Sequence, residues 1–143
     1  MEPLSIAANV VGVTAPALHG LRLLLDDIHN IVDAPDAVAT LRGDLLTIDK
    51  ALTSLQAITE PQWESLGQSV IQETKSAIDL CSVSCDRLRT ALTRWTRHSR
   101  DGKLSWRDRA TVGFLKQSQM KSLSEQLQAC KTTLNSVVGI ATL

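Results

Sequence analysis

Between Met120 and Ala141 the apolar side chains fall at Met120, Leu123, Leu127, Cys130, Leu134, Val137 and Ala141, in alternating steps of three and four. That rhythm keeps one stripe on one face of a helix, and so long a stripe has to be buried against other helices. The start of this helix is marked upstream. Ser105 can cap the free amides of a first turn, and Asp108 places a carboxylate near the positive end of the helix. The spacing therefore predicts a long last helix running from Ser105 to the end of the chain.

The rest of the chain repeats the pattern. A first helix is expected over 3–32, with Pro3 where a missing amide costs nothing. Its first half is apolar around most of its circumference, and Pro16 predicts a kink or break between Gly12 and Pro16. Beyond it, Leu21, Leu24, Leu25, Ile28 and Val32 resume helical spacing. A second helix begins near Asp33 and Pro35 and ends near Ile58. Val38, Leu41, Leu45, Ile48, Leu52 and Leu55 face inward, while Arg42, Asp44, Asp49 and Lys50 lie on the other faces. Thr59, Glu60 and Pro61 open a third helix over 61–98, with a seam of Ile71, Thr74, Ile78, Cys81, Cys85, Leu88, Leu92 and Trp95. At 1.5 Å per residue it would be about 55 Å long, against about 35 Å for the second. Four such helices with short connections predict an all-α fold, an antiparallel up-down-up-down four-helix bundle with long third and fourth helices. The 143 residues make one domain, 1–143. The apolar helical run that reaches the last residues is the pattern expected of the N-terminal part of a longer protein.

Composition agrees. There are three Trp, one Phe and no Tyr, too few aromatics for a sandwich or barrel. Net charge is zero, yet residues 1–80 carry eleven acidic and four basic side chains, and 81–143 carry four acidic and eleven basic. Three cysteines without a paired framework fit a reducing compartment, so a cytoplasmic location is expected. The apolar stretch 4–18 has only Glu2 as a charged residue before it. A secretory signal would carry a basic segment there, so the stretch belongs to the fold. His19 and Arg22 also arrive before the roughly twenty apolar residues a bilayer needs.

No catalytic constellation is present. A Gly-rich phosphate loop, a nucleophile elbow and a His-Glu-x-x-His motif are all missing, and the expectation is a non-enzymatic protein without a cofactor. Cys81 and Cys85 lie one turn apart and Cys130 sits on the last seam, so three thiols could converge. A zinc site needs a fourth ligand, and the histidines are scattered at 19, 29 and 98; small core side chains are the better reading of the thiols, and no metal site is assigned. Trp63, Trp95 and Trp106 fall near helix ends, as plugs of a core do.

The strongest surface signal is basic. Arg87, Arg89, Arg94, Arg97, Arg100, Lys103, Arg107 and Arg109 surround the third connection, and Arg94, Arg97, Arg100, Lys103, Arg107 and Arg109 form a candidate patch for anionic lipid or an acidic protein partner. Nucleic acid is the less favoured partner. The first connection, with Asp26, Asp27, Asp33 and Asp36, is expected at the same end, where it would neutralise part of this patch.

Three stretches carry a resemblance: MEPLSIAANVVGV at 1–13, DGKLSWRDRA at 101–110 and LSEQLQACKTTLNSVVGIAT at 123–142. Together they resemble the N-terminal helical domain of fungal STAND and NLR-like proteins, a group also named after protein L of azaphilone pigment clusters. The segment TVGFL at 111–115 departs from it, because that helix start is usually more charged. The resemblance implies a signalling or effector module similar to HeLo-like bundles. Such a module acts by self-association and recruitment of protein partners, and its first helix can enter anionic membranes in regulated cell death. It would make Leu4, Ile6, Val10, Val11 and Val13 membrane-active positions. In the resting fold those residues are expected in a central core helix. A plain scaffold that positions further modules is the alternative.

Overall fold

The computed structural model describes residues 6–30, 36–95 and 117–142. Among them every regular element is an α-helix: α1 (Ile6–His29), α2 (Asp36–Gln56), α3 (Glu60–Leu66), α4 (Gln68–Trp95) and α5 (Gln117–Ala141). The three-four rhythm translates directly into burial, since it is the rhythm at which a helix returns to one face. On α2, Val38, Leu41, Leu45, Ile48, Leu52 and Leu55 are all buried, and on α4 the buried seam is Ile71, Thr74, Ile78, Cys81, Cys85, Leu88 and Leu92. On α5 it is Leu123, Leu127, Cys130, Leu134 and Val137. These side chains and those of α1 form one continuous core. Helix α1 packs chiefly on α2 and α4, and α5 chiefly on the same two.

Polar contacts fix which parts of the helices meet. Arg22 on α1 holds Asp49 on α2 with two hydrogen bonds, 3.0 Å from Nε and 3.2 Å from Nη2. Arg89 on α4 donates from Nε to Asp27 on α1 at 2.8 Å. Buried Ser84 on α4 donates to Gln126 Oε1 on α5 at 2.9 Å.

The third helix expected over 61–98 is two helices. Thr59 caps α3, and its amide donates to Gln62 Oε1 at 2.9 Å while the Gln62 amide returns a bond to Thr59 Oγ1, a reciprocal capping box. After a helix of seven residues Gly67 takes φ 91° and ψ 155°, and the helix ends. That region is closed to side chains with a Cβ, so glycine is what permits the corner. A Cβ built at Gly67 would meet nothing within 4 Å, leaving the backbone as the whole cost of a substitution. Gly67→Ala is expected to lower stability by about 1–3 kcal/mol, read from its urea midpoint, or else to fuse α3 and α4 and raise helicity.

Helix α1 corrects two expectations. It continues through Pro16 without the break expected between Gly12 and Pro16. Pro16 lies on the exposed side, so water can replace the one amide bond the ring removes. Thr14 Oγ1 donates to the Val10 carbonyl at 2.7 Å, occupying an acceptor one turn back. Nor is the first half of α1 a core helix on every side: Val10 is fully buried and Val13 half-buried, but Val11 is 46% exposed.

Candidate functional site

Two surfaces follow from the sequence, the apolar first helix and the basic third connection. On the first, Val10 points into the core, Val13 sits at its edge and Val11 faces out. The backbone of Ile6 is helical, and Leu4 lies outside the described residues. Within Ala8–His29 an 18-residue window has a mean hydropathy of 1.3, so by length and composition alone the helix could cross a membrane, and 33% of that window is buried in the fold. A core helix of a soluble protein ordinarily hides most of such a surface; this one buries a stripe and leaves Ala8, Val11, Gly12, Ala15 and Pro16 exposed.

Of the basic surface, Arg94 is helical in backbone at the end of α4, and Arg97, Arg100, Lys103, Arg107 and Arg109 lie outside the described residues. The approach to it is visible. Arg89 is half-buried and spent on Asp27, the acidic residue at the end of α1, while Arg87 is exposed. Beside that ion pair, Asp86, Arg89, Thr90 and Thr93 line an open polar groove of about 400 Å³. Some of the basic charge is thus matched within the fold, as the acidic first connection led one to expect.

The cysteines all lie in the core. Cys81 and Cys85 stand one turn apart on α4 and Cys130 on α5, all three buried. Interaction with Cys85 raises the Cys81 thiol well above its ordinary range, with burial adding to the effect, and burial first and Cys81 second push Cys130 up to about 12. Thiols so disposed stay protonated and are poor nucleophiles. Among the described residues no group of three His, Cys, Asp or Glu is placed to hold a metal ion. The unfolded chain would release these protons first, so their contribution is whole below about pH 8.5 and declines as pH rises above it. Stability is expected to fall between pH 8.5 and 10.5, on the order of 1 kcal/mol per thiol and pH unit, with a shallower slope in Cys130→Val.

One buried polar cluster is not apparent from the pattern. Asp44, assigned to the outer faces of its helix, is 7% exposed. Gln128 Nε2 and Lys131 Nζ reach it from α5 at 2.9 and 3.0 Å. Asp44 lies between Leu41 and Ile48 and next to Leu45, on the flank of the seam, and its α5 partners are one turn apart. That charge complementarity between two seams is the signal that could have found it. The cluster is structural: its carboxylate is occupied by its neighbours.

The family description pigment biosynthesis cluster protein PigL N-terminal matches residues 1–143. No curated protein and no solved structure matches the chain.

Proposed function

The chain belongs to the family of pigment biosynthesis cluster protein PigL N-terminal domains, and from that premise we propose that it is a non-enzymatic, cytoplasmic signalling module of a fungal STAND or NLR-like protein. Its helices α1, α2, α4 and α5 form an up-down-up-down four-helix bundle, supported by their mutual packing and by the Arg22–Asp49 and Ser84–Gln126 contacts. Clustered by attached modules, the bundle self-associates, recruits a protein partner and offers α1 to an anionic membrane, the step by which it acts in regulated cell death. The observation that carries the membrane step is the partial burial of α1, of whose apolar 18-residue window 33% is inside the fold. A helix held along one stripe leaves less core behind than one held all round, so two packings of it can lie close in free energy.

The scaffold reading rests on a different observation. Arg89 is already paired with Asp27, so part of the basic end has its countercharge inside the chain. Vesicle co-sedimentation with dye release separates the two. The membrane reading expects binding and leakage with anionic vesicles, little with neutral ones, and a loss of binding of about thirtyfold or more in Arg97→Glu/Arg100→Glu, near 1 kcal/mol for each of the two basic contacts removed. No binding to either vesicle sinks the membrane step and leaves the scaffold.

A further inference from the structure

Where the first half of α1 passes over the corner between α2 and α3, Ala8, Val11, Gly12, Ile58, Glu60 and Trp63 line a pocket of about 360 Å³. That volume is within the range of small-molecule sites, and the lining is mostly apolar. Two features distinguish it from an ordinary surface dent. Trp63 is 1% exposed, and its indole Nε1–H is buried with no hydrogen-bond partner. A buried donor left unmade costs free energy that an added acceptor would recover. Gly12, another lining residue, has nothing within 4 Å of where a Cβ would stand, so a side chain there would meet open space.

We propose that this pocket binds a small uncharged apolar molecule carrying a carbonyl-type acceptor, which receives the Trp63 N–H. The inference is independent of the membrane reading, since it uses only the resting packing of α1 on α3. Charge complementarity is not what selects the ligand: Val11, Gly12, Ile58 and Trp63 offer apolar surface, and the donor to be satisfied is a neutral one. The acceptor is what separates the ligand from any greasy molecule of the same size. Because the nitrogen is closed to water, the ligand has to part the lining side chains to reach it, and only the new hydrogen bond compensates that displacement.

The test is a titration of the ¹⁵N-labelled chain with acetophenone, following the indole N–H resonances, with ethylbenzene as the probe of equal shape that lacks an acceptor. The Trp63 resonance is identified by its loss in Trp63→Phe. The expected result is a saturable downfield shift of that resonance with acetophenone. Ethylbenzene should bind about tenfold more weakly and without the downfield shift, and acetophenone should lose about tenfold in Trp63→Phe. Gly12→Leu puts a side chain into the pocket while leaving residue 63 a tryptophan, and it favours helix, so it should abolish the shift while the fold is retained. An unmoved resonance, equal binding of both probes, or a shift that survives Gly12→Leu would overturn the proposal. So would a shift that tracks protein concentration without any probe, which would mean that a second copy of the chain covers the pocket.

Discussion

Trp63→Ala is expected to lower the free energy of unfolding by about 3–5 kcal/mol, a large share of what a domain of this size possesses. Among the described residues Trp63 is the largest of the fully buried side chains, and it sits on a helix of only seven residues. So short a helix is not stable by itself; tertiary contact has to hold it. Helix α3 touches α1, α4 and α5, and Gln62 adds a 3.4 Å bond from Nε2 to the Ala141 carbonyl. Removing the indole therefore opens a cavity at the point where α3 meets its neighbours. Trp63→Phe discriminates the source of the loss. It keeps most of the apolar surface and deletes a donor that has no partner, so it should cost about 1 kcal/mol or less. Urea unfolding followed by helical circular dichroism measures both. A phenylalanine variant as damaged as the alanine one would mean that the N–H is bonded after all.

The second large effect belongs to Asp44. Asp44→Ala should cost about 2–3 kcal/mol, because it strands the Lys131 ammonium and the Gln128 amide in a region made for a carboxylate. The lower part of the range for buried pairs applies, since the Lys131 side chain is 26% exposed and water can partly replace the lost partner. Replacing both ends with apolar side chains of similar size, Asp44→Leu with Lys131→Met, removes the stranded charge and should restore most of the loss. A double-mutant cycle in urea gives the coupling directly, and purely additive costs would show that the two residues do not interact.

These two sites also mark the limit of what periodicity reveals. Val38 through Leu55 were legible as a buried seam because burial repeats with the helical turn, and geometry alone turns that spacing into a face. Asp44 was not, because a carboxylate beside a seam faces solvent unless another helix brings it donors, and Gln128 and Lys131 lie 84 and 87 residues away in the chain. The corner at Gly67 failed to show for a related reason: a single glycine in a helical pattern is tolerated as often as it is used, and a positive φ has no sequence mark of its own. The apolar girth of the first helix was plain, but girth says nothing of how much surface the neighbours cover. Of the candidate sites, Val10 and Val11 proved to face opposite ways, and Arg89 met the acidic residue expected near it. The positions Arg97 to Arg109 lie outside the described residues, and their role rests on the vesicle experiment.

The sealed cysteines have a practical consequence. All three in the chain are buried, two of them with thiols held well into the protonated form. The native molecule is therefore a silent background for maleimide chemistry near neutral pH. Cysteines placed together at exposed Ser65 and Ala15 would carry a pair of labels without first stripping the core of its own sulfur, so the distance between α3 and α1 could be followed in the otherwise unaltered protein.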